Sequence, residues 1–149
     1  MSAVVFLPRD MREILCVGTN KGDCLLLKEQ TNELLTEHKA PTQTHIQGNP
    51  RVEITVCRFF DKLLVTGNDR GDICIFTKNL YSLKHSIKLN IATQNARMDS
   101  VAEIKQFREG RLLVLTSQPA LFDVDVIEGS IIQHWVLPYT PTSIIADFN

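Results

Sequence analysis

No apolar run in this sequence approaches the roughly 18 residues that a membrane-spanning helix needs, so no span is expected. The first ten residues, Met-Ser-Ala-Val-Val-Phe-Leu-Pro-Arg-Asp, lack the charged start and longer apolar stretch of a secretory leader. An excess of one charge is missing too: 16 basic and 17 acidic residues are mixed along the chain and leave a net charge of −1. Without a basic face to neutralise phosphates, nucleic acid is not an expected partner. The patterns G-x-S-x-G, H-E-x-x-H and G-x-G-x-x-G and the P-loop are absent. His45 and His134 stand beside no acid–nucleophile pattern, so neither a catalytic residue nor a cofactor is expected.

Cysteine is scarce and none of it forms a C-x-x-C pair. Cys16, Cys24, Cys57 and Cys74 each have an apolar neighbour. They read as free thiols packed as small hydrophobes in a reducing compartment. A zinc site would call for histidines at ligand spacing, and His38, His45, His85 and His134 are scattered, so no metal site is expected.

What the chain does have is a repeat. Residues 15–28 read Leu-Cys-Val-Gly-Thr-Asn-Lys-Gly-Asp-Cys-Leu-Leu-Leu-Lys, and residues 64–77 read Leu-Val-Thr-Gly-Asn-Asp-Arg-Gly-Asp-Ile-Cys-Ile-Phe-Thr. Each is an apolar strand, a Gly, two polar residues, a base, Gly-Asp and a second apolar strand. Gly18 aligns with Gly67, Lys21 with Arg70, Gly22 with Gly71 and Asp23 with Asp72, all 49 residues apart. Apolar runs bounded by Gly, Asn and Asp are β-hairpins, and these four glycines are candidate turn residues, with Gly22 and Gly71 expected at positive φ. A third, degenerate copy spans 111–125, where Ser117-Gln118-Pro119 replaces the glycine turn.

Each hairpin has a strand before it, at 3–7, 52–60 and 100–107. Each also has a strand after it, at 33–37, 82–89 and 130–137. Three units of four strands follow, with a period of roughly 40–50 residues that suits propeller blades. The connections at 39–50 and 90–98 are polar, show no helical period, and leave almost no helix to expect. The predicted fold is therefore all-β, with four-stranded antiparallel blades at about 1–40, 50–90 and 99–138. Residues 139–149 read as the start of a further blade, with a strand near 144–148.

The stretch Thr66-Gly67-Asn68-Asp69-Arg70-Gly71-Asp72-Ile73-Cys74-Ile75-Phe76 resembles the core of a WD40 repeat. Nearly the whole chain resembles three diverged copies. Departures are visible: Arg70 stands where the family has a turn Asp, and Phe76-Thr77 and Leu27-Lys28 stand where it has Trp-Asp. Glu37-His38 is the nearest counterpart of its Gly-His pair, so the family's Asp–His hydrogen-bond network does not carry over. The resemblance implies a non-catalytic scaffold for protein–protein interactions within a larger intracellular complex, in cytoplasm or nucleus. The alternative it leaves is a ligand-binding or enzymatic propeller with a site at the channel mouth.

Three blades leave apolar faces and a strand edge uncovered. The chain is expected to occur with further blades or subunits that complete the propeller, rather than as a stable monomer. Candidate partner-binding residues are Lys21 and Arg70, in equivalent turns, and Trp135, the only tryptophan. Lys21 and Arg70 meet an acidic partner or are solvated turn charges; Trp135 is an interface anchor or a partly buried outer-strand residue. Asp23 and Asp72 read as solvated hairpin residues.

Overall fold

A computed structural model describes residues 4–6, 14–28, 43–60, 62–77, 82–89, 100–117 and 120–139. Among them every regular element is a strand. Strands β1 (Val4–Phe6), β2 (Ile14–Gly18), β3 (Cys24–Lys28) and β4 (Gln43–Ile46) form the first sheet. Strands β5 (Ile54–Phe60), β6 (Leu63–Asn68), β7 (Asp72–Thr77) and β8 (Leu83–Lys88) form the second. Strands β9 (Val101–Arg108), β10 (Arg111–Thr116), β11 (Ala120–Asp125) and β12 (Ser130–Val136) form the third. All pairings are antiparallel between consecutive strands, so each sheet is a four-stranded meander.

The sequence pattern puts the fourth strand of the first unit at 33–37 and closes that unit near residue 40. The residues 33–37 lie outside the described ones, and the structure assigns the fourth strand to Gln43–Ile46, inside the expected connection. There Cys24 faces Ile46 and Leu27 faces Gln43. The β-branched Thr44 and Ile46 fit a pleated strand, and Ile46 packs against the buried cluster beside it. The proposed strand at 144–148 also lies outside the described residues.

Strand periodicity explains where the core sits. In the middle sheet neighbouring residues point to opposite faces. Val65, Ile73 and Ile75 join a cluster with Ile104, Val114 and Val124 of the third sheet. Leu64 and Phe76 join Cys16, Cys24 and Leu26 of the first. Both faces of β6 are therefore buried, which is why Leu63-Leu64-Val65 reads as a continuous apolar run rather than an alternating one.

The first strands of successive sheets lie side by side. Thr55 of β5 donates its hydroxyl to the Val101 carbonyl at 2.6 Å, and Arg58 pairs with Glu103 of β9 at 2.8 Å. At the outer side, a His85 ring nitrogen on β8 lies 2.9 Å from the Ile127 carbonyl beyond β11.

Candidate functional site

The repeated hairpins have matching tips built from different side chains. In the first, the Thr19 hydroxyl accepts from the backbone N–H of Lys21 at 3.2 Å and of Asp23 at 3.1 Å. In the second, the Asn68 side-chain oxygen accepts from the N–H of Arg70 at 2.9 Å and of Asp72 at 3.0 Å. Gly22 and Gly71 close these turns with φ of 75° and 77°. Lys21 is exposed and Arg70 half-buried, each at its hairpin tip. Asp23 accepts from the Gly48 N–H at 2.9 Å, and Asp72 lies 3.5 Å from the Asn68 amide nitrogen, so both carboxylates serve the loops. Gly71→Val should cost roughly 1 kcal/mol or more, because a β-branched residue is strained at positive φ. Gly22→Val should cost more than strain alone, since a Cβ there would lie 2.1 Å from the Asn49 carbonyl oxygen. Chemical denaturation of both variants tests this, and two neutral results would sink it.

Gly18 and Gly67, expected as turn residues, lie inside β2 and β6 and serve a different end. A Cβ on Gly18 would sit 2.4 Å from Ile54 Cγ2, and one on Gly67 2.5 Å from Val101 Cγ1. Their bare backbones let the first strand of the next sheet come close. Two further turn glycines, Gly110 and Gly129, have φ of 74° and 69° and stand outside the 49-residue repeat.

Trp135 lies on β12, facing Leu121 of β11, and is 41% exposed. Its neighbours Val136 and Tyr139 are 80% and 82% exposed, and Ile132 is exposed as well. The outer strand of the third sheet thus presents an apolar stretch to solvent. His134 stacks on Phe122 with ring centroids 5.6 Å apart.

Cysteines expected as separate packed thiols come together. The sulfurs of Cys16 (β2), Cys24 (β3) and Cys57 (β5) all lie within 4.8 Å of one another, and all three side chains are buried. Hydrogen bonds from the Cys16 and Cys24 thiols hold Cys57 below the usual thiol range against the opposing effect of burial, helped by Arg58 and the Gly18 N–H. Cys24 is pushed up by its bonds to Cys16 and Cys57 and by burial. For Cys16 the bond with Cys24 acts downward, but the bond to Cys57 and burial outweigh it and raise the thiol. Beside this triad runs a cleft of about 450 Å³ between the first two sheets, lined by Cys24, Ile46, Asn49, Asn68, Asp72 and Cys74. Cys74 is half-buried, and burial raises its thiol.

No family model matches the sequence, and no curated protein does. Solved structures do match. The C-terminal WD40 domain of Sif2 superposes with a TM-score of 0.65 at 14% identity, covering 92% of this chain and 38% of that one. The computationally designed Ika8 protein gives 0.66 at 13% identity, covering 89% and 35%. A chain of the mitotic checkpoint complex gives 0.64 at 9% identity, covering 85% and 35%.

The chain has the fold of WD40-like propeller blades.

It spans about a third of the length of these matched structures. In propeller terms β1, β5 and β9 are the inner strands and β4, β8 and β12 the outer ones. The inward glycines Gly18 and Gly67 are blade-to-blade contacts, and the sequence signal for them was their equivalence at 49 residues, read as turn chemistry. Nothing in local spacing announces the thiol triad, because its members come from three strands of two blades. Among the described residues no helix is long and apolar enough to cross a membrane.

Proposed function

We propose that this chain is a non-catalytic WD40-like scaffold that binds other proteins within a larger intracellular complex. The observation that carries this reading is the set of exposed apolar residues at the outer edge of the third sheet, Ile132, Trp135 and Val136 on β12 with Tyr139 just beyond it. A chain similar to this one in fold belongs to the mitotic checkpoint complex, which supports a place among several proteins. Another, from Chaetomium thermophilum Raptor, matches with a TM-score of 0.52 at 11% identity, covering 90% of this chain and 16% of that one. The hairpin-tip bases Lys21 and Arg70 supply charge for an acidic stretch on a partner. The three four-stranded sheets end at Ile46, Lys88 and Val136, and further blades or subunits are the natural first partners of such a set.

A photo-crosslinking residue placed at 135 reports what covers this strand, and affinity measurements on the captured protein follow. Trp135→Ala should weaken binding by about 2 kcal/mol, roughly 30-fold, as truncation of an aromatic anchor does. The chain should still fold, at some cost in stability, because Trp135 is 41% exposed and the rest of it is packed on the sheet. Equal binding by the variant, or crosslinks only to small molecules, would overturn the scaffold reading at this strand.

A further inference from the structure

We propose that Cys16, Cys24 and Cys57 form a three-thiolate site for a zinc-class divalent ion at the seam between the first two blades. Three sulfurs within 4.8 Å of one another are near the spacing that one ion imposes. With metal–sulfur bonds of about 2.3 Å, sulfurs in a tetrahedral or trigonal set lie about 3.8–4.0 Å apart. Small side-chain rotations close that gap. The strand register aims the groups: Cys16 stands opposite Leu26 and Cys24 opposite Gly18, so the two thiols lie diagonally across one face of the first blade. Cys57 comes to the same point from the inner strand of the second blade. Gly18 keeps the space open, since a Cβ there would sit 3.1 Å from the Cys57 sulfur.

Softness and charge decide the class of ion. An all-sulfur donor set favours zinc, cadmium and monovalent copper over magnesium or calcium. Three thiolates around a divalent ion leave one negative charge, and around a monovalent ion two. One guanidinium stands near: Arg58 follows Cys57 directly and donates to the Cys57 carbonyl at 2.9 Å. A single residual charge, beside the Gly18 N–H and with Arg58 near but also paired to Glu103, is less costly to bury than two. Binding forms three metal–sulfur bonds, and each sulfur that held a proton releases it to solvent. The cleft lined by Cys24 offers a route in and room for a water in the fourth position. Such an ion would staple β2 and β3 to β5 across the seam, adding binding energy to the packing of two blades.

Titration of the reduced chain with Cd²⁺ under oxygen-free conditions tests this directly. A thiolate-to-cadmium absorption should saturate at one ion per chain, and Zn²⁺ should displace it. Cys24→Ala and Cys57→Ala should each lose at least about tenfold in affinity, while Cys74→Ala should not. Should either variant fail to fold, thiol alkylation of the unaltered chain decides the matter: Zn²⁺ should protect three cysteines and leave the labelling rate of Cys74 unchanged. Absorption that fails to saturate at one ion, binding that survives Cys57→Ala, or no protection by Zn²⁺ would overturn the site.

Discussion

Gly67→Val is expected to cost about 3 kcal/mol, at the upper end of what overpacking a fitted interface does. The substituent would enter a seam in which a Cβ already falls 2.5 Å from Val101 Cγ1 and 2.6 Å from Val101 Cβ. Val101 is stiff at χ1 and 1% exposed, so it has little freedom to yield. The Thr55 hydroxyl, which bridges the Gly67 and Val101 carbonyls at 3.3 and 2.6 Å, would be pushed apart with them. Gly18→Val should behave alike against Ile54, where the approach is 2.4 Å. The decisive measurement is a double-mutant cycle in urea: Gly67→Ala combined with Val101→Ala should recover part of the loss, with a coupling of about 0.5–3 kcal/mol. A Gly67→Val variant within about 0.5 kcal/mol of the parent, or strict additivity in the cycle, would show that the blades do not meet through this glycine.

Arg111→Ala is the second change expected to damage the chain badly. Asp123 is fully buried within the third blade, and its carboxylate accepts from Arg111 Nε at 2.8 Å, from a second Arg111 nitrogen, and from Gln133 Nε2 at 3.1 Å. The bidentate Arg111 contact holds the Asp123 carboxyl below the usual carboxylate range, against the opposing effect of burial. Removing the guanidinium leaves a buried charge hydrogen-bonded by the Gln133 amide and helped only by the weaker field of Arg108, a far greater penalty than loss of a surface pair. The sign with pH follows from the lowered value. The stabilisation is fully present above the unfolded-state value of about 3.9 and is lost as pH falls through the lower folded-state value. The gap in stability between parent and Arg111→Ala should therefore be widest above about pH 5 and shrink as the pH drops below about 4. Arg111→Lys keeps a charge but not the fork, and should recover only part of the loss. A gap that stays constant from pH 7 to pH 3 would show that Asp123 does not carry the effect.

Much of this architecture is legible in the residue order because it rests on local rules. Alternating and continuous apolar runs mark the strands, and the Gly-Asp pairs at 22–23 and 71–72 mark two tight turns. Their recurrence 49 residues apart announces a repeated four-stranded unit. The same locality explains why the partner of β3 was not legible: it is Gln43–Ile46, inside a polar connection, and only pairing across the sheet selects it. Lys21, Arg70 and Trp135 were readable as candidates because they stand out by charge, equivalence or rarity. Their placement at hairpin tips and on an open outer strand needed the sheets.

By itself, then, the sequence determined that the chain is all-β, that it repeats, and where its tightest turns fall, since these follow from side-chain period and backbone sterics within a few residues. Tertiary structure alone decided which residues meet across the seams. Gly18 against Ile54, Gly67 against Val101, the Arg111–Asp123 pair and the gathering of three thiols each depend on register between strands or on the stacking of one sheet against the next. A one-residue slip in register would turn each of these side chains to the opposite face, and no spacing along the chain records which register wins.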